Sequence, residues 1–261
     1  MERSTYALRI AYDGARFRGW QRQRAEPTVE QALEDALAGS LGEKVRVHGA
    51  ARTDAGVHAE GQVASFSIRR ALSPSDLLAV PVIDGLRIVA AARAVPSFHA
   101  RANADAKRYC YRYAWSRMSD RRAFHLGNST PDWARTRVAL EQLRGLPHLS
   151  GLASPSTVRT PAPPLDEWLL NVARDEARLI VKARAFRKHE VRNLAGHLAA
   201  IALGLAEPDS LARLARGMRP WRGATAPAHG LTLLEVIYPD DVDPFRAEDR
   251  ARSTERAPLL R

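Results

Sequence analysis

Gly49-Ala50-Ala51-Arg52-Thr53-Asp54-Ala55-Gly56-Val57-His58-Ala59-Glu60-Gly61-Gln62 gathers an aspartate, an arginine, a histidine and several glycines into one short connection. The strand-like Lys44-Val45-Arg46-Val47-His48 precedes it, and Val63-Ala64-Ser65-Phe66-Ser67-Ile68 follows. A polar loop held between two strands is where a rigid scaffold tends to carry function. Glycine lets the backbone turn sharply or approach a ligand closely, so Asp54 is a candidate for presentation on a tight turn. Asp-Ala-Gly is equally ordinary turn chemistry, with the carboxylate bonding its own backbone. The local sequence leaves both readings open.

Outward from this loop, strand and helix patterns alternate. Tyr6, Leu8, Ile10 and Tyr12 interleave with Ala7, Arg9 and Ala11, which predicts a half-buried strand ended by Asp13-Gly14. Thr28 and Gln31 have the spacing of a capping box. They open a helix with Val29, Ala32, Leu33, Ala36 and Leu37 on one face and Gly42 at its end. A short helix is expected from Ser75 to Val80, and a strand at Leu86, Ile88 and Ala90. The series then restarts. Tyr109, Tyr111, Tyr113 and Trp115 form the aromatic face of a strand that also holds Cys110. Thr130-Pro131-Asp132 begins a helix reaching Leu143, and Ser150 to Pro164 reads as loop. Trp168, Leu170 and Val172, then Leu179, Val181 and Ala183, are two strands joined near Asp175-Glu176. Helices are expected over about Lys188 to Leu205 and Leu211 to Arg216, and a last strand at Leu231, Leu233, Glu235 and Ile237. The order predicts an α+β fold of two halves, each a mainly antiparallel sheet with helices on one face. The halves are placed at 1–101 and 102–245. The charged tail 246–261 is expected to be disordered.

The 261 residues carry 40 Lys and Arg against 29 Asp and Glu, a net charge of +11, most of it arginine. That excess favours a polyanionic partner, nucleic acid first among them. In Arg16-Phe17-Arg18-Gly19-Trp20-Gln21-Arg22 cations interleave with rings, as binding of looped RNA would use. The same pattern suits core aromatics flanked by solvated arginines. Cys110 is the only cysteine and forms no internal disulfide, which fits a reducing cytoplasm, and it reads as a small buried residue. No apolar signal segment opens the chain, and the apolar run Leu194 to Ala206 is too short to span a bilayer.

Several chemistries fail on spacing. After His189-Glu190 the second metal ligand of a zinc protease would stand where Asn193 is. Asp240, Asp241 and Asp243 lack the glycine turn and distal Glu of a calcium loop. No P-loop or dinucleotide fingerprint is present, so no metal, nucleotide or redox cofactor is expected.

The remaining pattern resembles the tRNA pseudouridine synthase A family over nearly the whole chain. Tyr12-Asp13-Gly14, Gly19-Trp20-Gln21-Arg22-Gln23 and Thr28-Val29-Glu30-Gln31 look like its N-terminal signature. Arg52 to Ala59 looks like its catalytic motif, followed by Gly61-Gln62-Val63. Phe98-His99-Ala100-Arg101, Lys107-Arg108-Tyr109, Val191-Arg192-Asn193 and Ala226-Pro227-Ala228-His229-Gly230-Leu231 match later blocks in order. The resemblance implies a pseudouridine-synthase fold with the active-site cleft between its halves. It implies isomerisation of uridines 38–40 in the tRNA anticodon stem-loop without a cofactor, by a homodimer that also holds the tRNA body. It puts the catalytic aspartate at Asp54 and its pairing arginine at Arg192. The base-stacking tyrosine falls on Tyr109, the flanking arginine on Arg52 and an apolar wall on Leu231. Glu190 departs from the methionine usual there and sets a second carboxylate near Arg192. Pro147 to Leu152 and Leu78 to Val82 depart as well. A tRNA-binding chaperone without catalysis shares the charge and aromatics but gives Asp54 no task. A metal hydrolase is a third class.

Overall fold

The computed structural model describes residues 3–115, 121–154, 161–218 and 224–245; the charged tail expected at 246–261 lies outside them. The chain forms two compact units. One comprises residues up to 105, without 56–58, together with 235 onward; the other comprises 106–234 with 56–58. Both mix helices with mainly antiparallel strands, as the alternation predicts.

In the first unit, β1 (Ser4–Tyr12) lies between two antiparallel neighbours, β3 (His58–Ile68) and β4 (Leu86–Ala94). The short β2 (His48–Gly49) pairs antiparallel with β3. The expected strand over 44–48 is largely absent, because the Val47 N–H donates to the Glu34 carboxylate (3.0 Å) rather than to a neighbouring strand. β1 is not half-buried. Tyr6, Leu8 and Ile10 are buried, and so is Ala7, which packs with Val63, Phe98, Ala100, Tyr238 and Phe245. Segments beyond the sheet cover the face that alternation alone assigns to solvent.

Helix α1 (Val29–Leu41) buries Val29, Leu33, Leu37 and Leu41, one residue per turn, and ends at Gly42 in the left-handed conformation. The expected capping box does not form. Val29 and Glu30 donate their N–H groups to the carbonyls of Gly19 (3.2 Å) and Trp20 (3.0 Å), so backbone does the capping. A capping box does form at α2 (Pro74–Leu78), between Ser73 and Asp76. α2 packs on β4.

In the second unit, β5 (Ala106–Ala114) pairs antiparallel with β8 (Glu176–Ala183), which pairs antiparallel with β7 (Glu167–Val172). The two-residue β6 (Phe124–His125) runs parallel to β5. Helix α3 (Trp133–Glu141) starts later than the proline predicts. Asp132 caps it by accepting from the Ala134 N–H (3.0 Å), and the Asp132 N–H donates to the Ala202 carbonyl (2.7 Å). Helix α4 (Glu190–Ala202) is nearly all buried and packs on α3, β5 and α5 (Asp209–Ala215). It begins two residues after the expected start because His189 is left-handed, φ 60°. Between α4 and α5, the buried His197 Nε2 lies 2.8 Å from the Ser210 hydroxyl. That hydroxyl donates to the Glu207 carbonyl, which commits the pair to structure. Cys110 is buried on β5, as expected. The last strand, β9 (Leu231–Ile237), begins in the second unit and ends in the first. No helix among the described residues is long and apolar enough to cross a membrane.

Candidate active site

The loop bearing Asp54 is braced from several directions within the first unit. Gln62, on β3 and fully buried, accepts from the Ala51 N–H (3.1 Å) and donates to the Ala51 carbonyl (2.8 Å). A strand neighbour would supply the same donor and acceptor. The Tyr12 and Thr53 hydroxyls lie 2.8 Å apart in the interior. Gln62 also donates to Tyr12 at a longer 3.5 Å, which leaves the phenolic hydrogen for Thr53. Burial pushes the Tyr12 hydroxyl up to about 12, against the pull of its bonds to Thr53 and Gln62, so it stays a donor at neutral pH. From the other side, Trp20 N–H donates to the Thr53 carbonyl (3.0 Å). Gly19 (φ 94°) passes so close that a Cβ there would stand 2.9 Å from that same oxygen and 3.1 Å from the Ala55 nitrogen. Asp54 thus sits partly exposed on a turn whose two flanks are bonded into the core. Arg52, two residues before it, is exposed and has no ion pair among the described residues.

In the second unit, two phenols on β5 organise the candidates. Tyr111 donates to the Pro227 carbonyl (2.8 Å), and Tyr113 donates to the Ala195 carbonyl of α4 (2.9 Å). Gly230 lies against the Tyr111 ring, where a Cβ would come within 2.7 Å. Its neighbour Leu231, buried, starts β9. Arg192, on α4, donates from Nε to the Ala226 carbonyl (2.9 Å), and Ala226 N–H returns to the Arg192 carbonyl (3.1 Å). Asn193 takes a 2.6 Å bond from Thr225 and gives one of 2.6 Å to Leu152. The segment 224–226 is therefore strapped along α4 and fixes the guanidinium. Arg192 is close enough for its charge to favour ionised Tyr111, although burial dominates and keeps that phenol protonated. Tyr109 shares the face of Tyr111 two residues along β5; it is buried, with its ring edge-on to Phe186 at 5.2 Å.

Of the two readings open for the cation-and-ring run, the core one holds, and the carboxylate expected near Arg192 points elsewhere. Phe17 and Trp20 are core, 3% and 0% exposed, so their rings are unavailable to bases. Arg16, Arg18 and Arg22 pair with Asp84, Glu26 and Glu34. Glu190 does not reach toward Arg192: one oxygen accepts from the Arg187 N–H (2.7 Å), and Oε1 is buried without a partner. Nothing local in the sequence links Gln62, Tyr12 and Thr53 as braces of one loop. Tyr12 and Gln62 are polar positions on largely buried strands, and Thr53 lies in the loop itself. Among the described residues, no group of three or more His, Cys, Asp or Glu is placed to hold a metal ion.

A family model described as tRNA pseudouridine synthase matches residues 9–85 and 96–239. The tRNA pseudouridine synthase A of Azorhizobium caulinodans is 36% identical over 256 residues, covering 94% of this chain and 98% of that protein. That of Rhodospirillum rubrum is 33% identical, covering 90% and 88%, and that of a Methylobacterium species 38%, covering 90% and 98%.

Two consequences are measurable. Gln62→Leu leaves the Ala51 N–H and carbonyl without their buried partner and lowers stability by about 2–4 kcal/mol. Urea unfolding and faster amide exchange at Ala51 are the readouts. Burial raises the Glu190 carboxyl to about 7 from its ordinary 4.5, against the smaller opposing effects of the Arg187 N–H and charge. The folded chain therefore holds a proton that the unfolded chain releases between about pH 4.5 and 7. Stability from this group is intact below pH 4.5 and falls by about 3 kcal/mol as pH rises to 7 and above. Glu190→Gln abolishes that decline, so its gain in urea midpoint over the parent is larger at pH 8 than at pH 5.

Proposed function

We propose that this chain, which belongs to the tRNA pseudouridine synthase family, isomerises uridine to pseudouridine in tRNA, at positions 38–40 of the anticodon stem-loop. The observation that carries the proposal is the family match across both units, with relatives of that name aligned over most of the chain. Nothing favours a tRNA chaperone without chemistry. The reaction breaks the bond from ribose C1′ to uracil N1 and forms one from C1′ to C5. The C5 proton is lost and N1 gains one, so atoms and electrons balance within the nucleotide.

Asp54 serves as the catalytic carboxylate, either as a nucleophile at C1′ or as a base at C2′. Both roles need an ionised group on a rigid mount. The bracing of Ala51 by Gln62 and of Thr53 by Tyr12 and Trp20, with Gly19 packed against the loop, supports this assignment because it supplies such a mount. Arg192 pairs with the carboxylate; its Nε bond to Ala226 limits the guanidinium to a narrow range of positions. Tyr109 stacks on the extruded base, and Leu231 lines it with apolar surface. Arg52 contacts the phosphate or fills the space the base leaves. The working form is a cytoplasmic homodimer, in which the second subunit holds the body of the tRNA.

Asp54→Asn tests the central assignment. The variant is expected to match the parent in circular dichroism and tRNA affinity and to lose pseudouridine formation by about 10²–10⁴-fold. Mapping pseudouridine in tRNA treated with the parent chain checks the position. Full activity in the variant overturns the role of Asp54.

A further inference from the structure

Beside the Asp54 loop, the first unit carries a group of basic side chains that the proposed chemistry leaves unused. His48, on β2, and His99 stack with ring centroids 4.8 Å apart and planes 26° apart. His99 Nδ1 accepts from the backbone N–H groups of Arg101 and Ala102, both at 3.2 Å. These bonds assign the ring proton to Nε2 and leave that nitrogen a donor. Arg101 is exposed and donates to the Gly49 carbonyl (3.2 Å), the residue at which the loop begins. Arg46 is exposed, and its charge is felt at His48; that of Arg52 is felt at Arg101. None of Arg46, Arg52 and Arg101 has an ion pair among the described residues. Among the described residues, the one acid whose charge is felt at both His48 and Arg101 is Glu30. The contrast with Arg16, Arg18 and Arg22, each matched to a carboxylate, is local and sharp. Unneutralised like charges repel one another, and an anion relieves them. Arg101 is bonded to the start of the Asp54 loop and feels the charge of Arg52, two residues before Asp54, which places the group on the loop's own flank.

Resting on the proposed function, we propose that Arg46, His48, His99 and Arg101 form a subsite for a backbone phosphate of the RNA strand next to the target uridine, with His48 taking up a proton as the phosphate binds. His99 gives its Nε2–H, and the two arginines give charge and guanidinium donors. In the free protein, partial desolvation of the stacked ring holds His48 below the ordinary histidine value, with His99, Arg46 and Arg101 adding to the depression and Glu30 opposing it. A phosphate reverses that balance and favours imidazolium. Binding therefore absorbs a proton, and affinity falls as pH rises from the free-protein value of His48 through its bound value.

The test uses the full chain and an unmodified tRNA transcript, with dissociation constants from fluorescence anisotropy at pH 6 and pH 8 and across about 50–200 mM salt. Parent affinity is expected to weaken about threefold to tenfold from pH 6 to pH 8. His48→Gln flattens most of that change. Arg46→Gln and Arg101→Gln each reduce the slope of log affinity against log salt by about one. His48 and Arg46 are exposed, and neither side chain makes a hydrogen bond among the described residues, so both variants keep the fold. An unchanged pH dependence in His48→Gln, or unchanged slopes in both arginine variants, overturns the subsite. Pseudouridine assayed in the same parent samples separates the two ideas. A parent that forms none defeats the functional reading, whereas normal isomerisation with unaltered slopes defeats the phosphate subsite alone.

Discussion

The side chain of Gln62 meets the backbone of Ala51 as though it were a neighbouring strand, and the first unit's loop depends on that contact. A loop departs from its ladder and leaves peptide groups unpaired inside the fold. A buried carboxamide supplies one donor and one acceptor at the spacing a peptide needs. The Tyr12 and Thr53 hydroxyls continue the same polar seam, and Gly19 closes it by letting a second backbone lie against the loop. Because the seam is buried, every member is costly to remove, and the carboxylate it carries inherits the rigidity of the sheet.

The second unit solves a related problem with phenols. Tyr111 and Tyr113 stand on an apolar strand face, and each places its hydroxyl on a carbonyl of another segment. The rings fill volume while the oxygens select which carbonyl may sit there. Around Arg192, the close pass of Ala224 over Gly196 does comparable work: a Cβ on Gly196 would stand 1.9 Å from the Ala224 oxygen. Arg192 is held by backbone on its own helix and by backbone strapped beside it, so its orientation rests on few flexible bonds.

The periodicity of Tyr6 to Tyr12 and of Tyr109 to Tyr113 was enough to place β1 and β5, and Val29, Leu33 and Leu37 were enough to place α1. Residues that act over long separations were less legible. Thr28 has the local form of a cap, yet Gly19 and Trp20 supply the acceptors, and nothing near Thr28 announces them. Val45 and Val47 alternate like a strand, but a carboxylate on α1 takes the Val47 N–H. Phe17 and Trp20 among arginines look like an RNA surface until burial is known; Trp20 packs against Gly49, where a Cβ would come within 2.3 Å of the indole. Asp54 stood out because its loop is dense in polar residues. Gln62 did not, since one glutamine on a strand has no meaning until its partner 11 residues earlier is in place.

The covering of β1 by Tyr238 and Phe245 bears on how the protein is made. Ala7, Val63 and Phe98 complete their packing only with residues from the far end of the chain, and the Tyr238 hydroxyl donates to the Ala100 carbonyl across 138 positions (2.7 Å). On a ribosome, the first unit emerges early with one sheet face still bare. It stays so throughout synthesis of the second unit, about 130 residues at about 5–20 residues per second. The nascent chain thus exposes apolar surface for about 7–26 seconds, a period in which chaperone binding competes with misassembly.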